Sequence, residues 1–256
     1  MTILQPQGNR PKFSLPWWVI LCYVGVWQLL AMHIDQTILL ASPVETVEQV
    51  YLLVIKGGFW LSIFSSFCRI LTGFLLAVVV GVLFSALSYK SKAFSQLVTP
   101  LILMAKAVPV ASFIILVLIW FSSKNLSVII SFIMALPVMY QNILSGLQTL
   151  DKELSQMSRV FRLTPYAHLR YVVCPQLLSY FTSASLVSIG LCFKAGIAAE
   201  VIGLPKMSIG EHLYEAKVFL DTPSLFAWTL VIVVLSFLVE KLLMLLIEKA
   251  SKRLMR

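Results

Sequence analysis

Residues 63–87 read IFSSFCRILTGFLLAVVVGVLFSAL, and this stretch decides the fold class. It holds 25 residues with one charge, Arg69, and a helix needs only about 20 mostly apolar residues to cross a bilayer. Gly73, Ala77, Gly81 and Ser85 put a small residue at every fourth position, which forms one stripe on a helix. Lipid tails are as apolar as leucine, so membrane helices associate by close packing, and small residues permit it. Five other segments pass the same reading: Trp17–Met32, Leu101–Phe121, Leu126–Leu147, Leu177–Ile202 and Leu225–Val239. The fifth span repeats the stripe with Ala184, Ser188, Cys192 and Gly196. Each stripe faces either another helix of the same chain or a translocation path or second subunit.

The whole composition agrees. Of 256 residues, 59% are hydrophobic and 12% charged, and the mean hydropathy is +0.93. Soluble domains run at about 45–50% apolar and about 25% charged. A soluble globule of this size has no interior large enough for such a sequence, and disordered chains are poor in hydrophobic residues. The chain is therefore an all-α integral membrane protein with six transmembrane helices. Arg10 and Lys12 precede the first apolar run as in a signal peptide, but no small-residue cleavage site follows before His33 and Asp35, so an uncleaved anchor is expected.

The net charge of +9 would suggest nucleic acid in a soluble protein; here it sorts by loop. With the N-terminus in the cytoplasm and six alternating spans, thirteen Lys and Arg fall in cytoplasmic segments and four (Lys56, Lys124, Lys206, Lys217) in external loops. That is the positive-inside asymmetry, with both termini cytoplasmic and no nucleic-acid partner. Residues 1–16 form an N-terminal tail, 17–247 the transmembrane domain, and 248–256 a basic tail.

Two connectors are longer than a turn. Residues 149–174 read as two short cytoplasmic helices, the first over Asp151–Arg162 with Asp151 as N-cap, the second with Thr164 as cap and Pro165 in the first turn. Pro175 then opens the fifth span. The external loop Gly203–Pro223 holds a short amphipathic stretch, Ile209–Phe219.

Charges inside a span are costly and mark either function or a helix end. Arg69 and Lys106 lie near span ends and are expected to snorkel to the headgroups. Lys194 and Glu200, six residues apart, point in different directions, so no simple salt bridge joins them. They either line a path, pack helices or anchor at the interface. Cys22, Cys68, Cys174 and Cys192 form no C-x-x-C pair and read as small hydrophobes, with neither disulfide nor metal site. His33, His168 and His212 have no ligand partner at helical spacing.

No G-x-x-x-x-G-K-[ST] phosphate loop, H-E-x-x-H or G-x-S-x-G is present, and the spans lack the paired carboxylates or histidines of a proton relay. No catalytic set is expected. On these residues alone the chain moves something with energy supplied elsewhere, or is a secondary transporter or channel with no ATPase partner.

From about Leu40 to Leu243 the chain resembles the permease subunits of bacterial ABC importers of the nitrate/sulfonate/taurine type. The segment DKELSQMSRVFRLTPYAHLRYVVCPQL is similar to the family's EAA loop: Gln156, Met157 and Ser158 stand at E-A-A, Arg162 at the Gly, Val172, Cys174 and Pro175 at the closing Ile, Leu and Pro. Lys106-Ala107-Val108-Pro109 with Leu118–Phe121 resembles the proline-containing third span. Ala199–Gly203, Ile209-Gly210 and Asp221–Ala227 resemble the fifth span and external loop. Arg162 puts a side chain that prefers φ < 0 where the family has Gly. Gln156, Ser122 and Ile115 depart as well.

The resemblance implies a permease that as a dimer, expected to be a homodimer, forms the pathway for a small anionic or zwitterionic solute in the bacterial cell membrane. It implies a partner ATPase holding ATP and Mg, an extracytoplasmic solute-binding protein, and no cofactor in this chain. The core would span about 59–243, with Gln156, Met157, Ser158, Arg159, Phe161, Arg162, Pro165 and Pro175 in the ATPase-coupling loop. Lys106, Pro109, Lys194, Gly196 and Glu200 are the candidates for pathway or packing.

Overall fold

The computed structural model describes residues 16–34 and 36–254, with side chains up to residue 252. Arg10, Lys12, Arg253 and Arg256 of the basic tails lie outside these limits, as does Asp35. The described chain is helical: α1 Trp17–Ile34, α2 Pro43–Ile55, α3 Phe59–Lys90, α4 Lys92–Ala107, α5 Val110–Trp120, α6 Ser123–Gln148, α7 Lys152–Val160, α8 Pro165–His168, α9 Cys174–Gly203, α10 Ile209–Val218 and α11 Thr222–Leu254. Five helices are long and apolar enough to cross a membrane, and a sixth span arises if α4 and α5 are joined.

The centre is α6, packed along its length against α3 and α9. Both small-residue stripes lie buried there, which assigns them to packing within the chain. A side chain at Gly73 would meet the Ser131 Cβ at 2.7 Å, and one at Gly81 the Met139 Cβ at 2.7 Å. Ser85 donates to the Tyr140 carbonyl at 2.9 Å, and Tyr140 donates to Ser88 at 2.9 Å. These two hydroxyls are satisfied across the helix interface, which lets polar groups sit in an apolar setting.

Three features differ from the sequence reading. The third span, expected over Leu101–Phe121, is broken: α4 and α5 meet at 109°. Pro109 has no N–H to continue the helix and drives Val108 to extended geometry (φ −77, ψ 132). Second, α2 is an unexpected helix, opened by a capping box in which Ser42 accepts from Glu45 N and Glu45 accepts from Ser42 N. Its Gln49 donates to Ser224 at 2.7 Å and ties α2 to α11. Third, the fifth span does not start at Pro175. The turn Leu169–Val173 is a π-helix joining α8 to α9, so one helix runs from Pro165 to Gly203, 39 residues. Pro175 cannot donate to the carbonyl four residues before it, and the wider turn accommodates that gap, with Cys174 N–H donating to Leu169 O.

Helix α1 is exposed nearly all round. Trp27 is its main attachment: the indole donates to the Ala41 carbonyl at 3.0 Å, and the ring stacks on Phe226 at 5.6 Å.

Candidate functional site

The Pro165–Gly203 helix carries a polar structure at each end. At the first end is the 149–174 connector. Asp151 caps α7 by accepting from Glu153 N at 2.8 Å and Leu154 N at 3.3 Å, and Thr164 caps α8 by accepting from Ala167 N. Between them α7 ends in a Schellman turn: Arg162 N donates to Arg159 O and Leu163 N to Ser158 O, both at 3.0 Å. That turn needs a left-handed residue, and Arg162 supplies it at φ 52. A non-glycine residue there costs about 1–2 kcal/mol, partly offset by the freedom glycine loses on folding. Arg162→Gly is therefore expected to stabilise the segment by about 0.5–1 kcal/mol. Hydrogen exchange of the α7 amides would slow by roughly two- to fivefold; faster exchange would contradict the strain argument.

The connector is pinned to the long helix. Asp151 N donates to Gln176 Oε1 at 2.8 Å, and Ser158 Oγ pairs with His168 Nδ1 at 2.8 Å. Ser158 is buried and faces its own chain within the connector. Gln156, Met157, Arg159, Arg162 and Pro165 are exposed, with Val160 and Phe161 at 79% and 67%. Half-buried Pro175 lies inside the continuous helix.

At the far end lies Glu200, with 0% exposure. Its Oε2 accepts from Ser66 Oγ at 2.6 Å and from Gly210 N at 3.4 Å, and its Oε1 faces Arg69 Nη1 at 3.4 Å. Glu200 is thus buried where α3, α9 and α10 meet. Arg69 is a correction: it does not snorkel free but pairs with Glu200 and donates to the Lys206 carbonyl at 3.2 Å. The sequence carried a signal for this pair, since opposite charges sit near the same end of two antiparallel helices.

The other candidates separate. Lys106 is exposed and donates to Gln141 Oε1 at 2.7 Å. Exposed Pro109 makes the bend. Lys194, facing away from Glu200, lines a groove of about 640 Å3 between α9 and α11 together with Ser236 and Glu240. Gly196 is packed against Ile70, Ser127 and Ser131. Among the described residues no three His, Cys, Asp or Glu side chains gather to hold a metal.

The described chain is thus a helical bundle of five or six candidate membrane spans with an exposed, capped segment on its longest helix. Residues 70–254 match the family described as binding-protein-dependent transport system inner membrane component, and the chain belongs to that family, the permeases of ABC importers. It is similar to the nitrate import permease protein NrtB of Synechocystis sp., at 26% identity with 80% of this chain and 78% of that protein covered. It is also similar to the putative aliphatic sulfonates transport permease protein SsuC of Bacillus subtilis, at 24% identity over 90% and 83%. A third relative is the bicarbonate transport system permease protein CmpB of Synechococcus elongatus, at 25% over 63% and 58%.

Proposed function

We propose that this permease, paired with a second copy, forms the pathway for a small anion or zwitterion and is driven by a separate ATPase that grips α7 and α8. The observation that carries the reading is the exposed Met157, Val160, Phe161 and Tyr166 on a capped segment pinned to a spanning helix. Exposed apolar side chains on an otherwise polar connector suit a protein groove. The connector belongs on the cytoplasmic side, because Lys152, Arg159, Arg162 and Arg170 concentrate there. Both termini then also face the cytoplasm, and the α10 end faces out, where a solute-binding protein delivers its cargo. Nitrate, sulfonate and bicarbonate in the relatives' names favour an anion. ATP and Mg belong to the partner, since this chain has no phosphate loop.

The test is affinity purification of the tagged chain from its native membranes after gentle solubilisation, with mass spectrometry of what accompanies it. Stoichiometric recovery of an ATPase with a phosphate loop is expected. A folded chain recovered without one overturns the reading, and a binding protein whose ligand is a cation overturns the solute class.

A further inference from the structure

We propose that Glu200 and Ser66 are positioning residues that fasten α10 to the outer end of the Pro165–Gly203 helix, so that a binding protein's arrival at that end is passed along the helix to the ATPase. This rests on the ATPase reading above and adds the residues that carry the signal.

The fastening is built from buried groups. The first two N–H groups of α10 do not point to solvent: Ile209 N donates to Ser66 Oγ at 3.0 Å and Gly210 N to Glu200 Oε2. The Ser66 hydroxyl in turn donates a hydrogen bond to the same carboxylate oxygen. One carboxylate therefore joins α3, α9 and the start of α10, where the helix dipole favours a negative charge. Ser208 serves the next N–H, accepting from Glu211 N at 3.0 Å. Arg69 holds the intervening loop through the Lys206 carbonyl. Gly210 lies so close to Glu200 and Val201 that any side chain there would overlap them. For α10 to slide on α9, hydrogen bonds to a fully buried carboxylate must break, which is costly in an apolar bundle.

The same helix is pinned at its other end through Gln176 and His168. Thirty-nine helical residues span about 58 Å at 1.5 Å per residue, so a single rod reaches from α10 to α7. A plain anchoring role requires a bond at one end only; bonds at both ends make the two ends move together.

The test uses the complete transporter, with its co-purifying ATPase and binding protein, in lipid nanodiscs. ATP hydrolysis is measured without binding protein and with binding protein at saturation. Glu200→Ala is expected to keep basal hydrolysis within twofold of wild type and lose the stimulation by fivefold or more. Glu200→Gln keeps a carbonyl oxygen for Ser66 and Gly210 and should retain most of it. Should Glu200→Ala fail to assemble, Ser66→Ala removes only a hydroxyl and should lower the stimulation at unchanged basal rate. Normal stimulation in the alanine variants overturns the fastening, as does an equal fall of basal and stimulated rates, which marks a merely structural role. A wild-type complex that ignores its binding protein overturns the parent reading as well.

Discussion

Met157→Arg combined with Phe161→Asp is expected to reduce transport at least tenfold while the protein still folds and inserts. Both side chains are exposed in the single chain, Met157 at 54% and Phe161 at 67%, so replacing them removes little packing from the fold. Exposed substitutions of this kind change stability by about 0.5 kcal/mol or less. At an interface the same changes put a charge into a desolvated apolar contact, which costs several kcal/mol, and about 1.4 kcal/mol is already tenfold in affinity. The measurement is ATPase recovery with the tagged variant, alongside solute uptake in cells. Gln156→Glu is the control: it changes an exposed polar side chain and leaves the apolar face alone, so binding should persist. Intact uptake in the double variant removes the coupling role from this segment.

Local signals were legible wherever one residue type answers one backbone need. Asp151 and Thr164-Pro165 mark helix starts because orphan N–H groups need an acceptor and a donor-free first turn, and both caps are found. The spans and the small-residue stripes were legible because hydrocarbon thickness fixes helix length and close packing requires small side chains. Arg162 was expected to prefer φ < 0, and the structure instead holds it in the left-handed region at φ 52 because the turn after α7 requires it.

What escaped depends on the neighbours. Pro100 and Pro137 sit inside helices while Pro109 ends one, and the three look alike in sequence. The Ser42-Pro43-Val44-Glu45 signature of α2 is present in the sequence but lies outside the long apolar segments that mark the spans. The Arg69–Glu200 pair joins residues 131 positions apart, and no local pattern encodes such a contact. The motif marked Ser158 as part of the connector, but its inward contact with His168, ten residues on, follows from the fold and not from the motif.

Gly196→Val is expected to abolish the folded permease, whereas Gly190→Ala, less than two turns earlier in the same helix, should be tolerated. A Cβ at Gly196 would meet Ile70 Cγ1 and Ser131 Oγ at 2.7 Å and Ser127 Oγ at 3.1 Å. These atoms belong to α3 and α6, so relief requires separating α9 from both helices at once. Overpacking a well-filled core costs about 1–3 kcal/mol where neighbours can shift, and valine adds two further methyl groups with no room for either. Ser131 also donates to the Cys192 carbonyl at 3.3 Å, so moving it strips a buried hydroxyl of its partner. At Gly190 nothing lies within 4 Å of the added carbon, and alanine gains up to about 1 kcal/mol of helix propensity. Both variants are compared with wild type for yield in the membrane fraction and for thermal aggregation in mild detergent. Equal behaviour of the two would mean that the α3–α6–α9 junction is not the close contact described, whereas selective loss of Gly196→Val identifies the stripe as the seam on which the bundle is built.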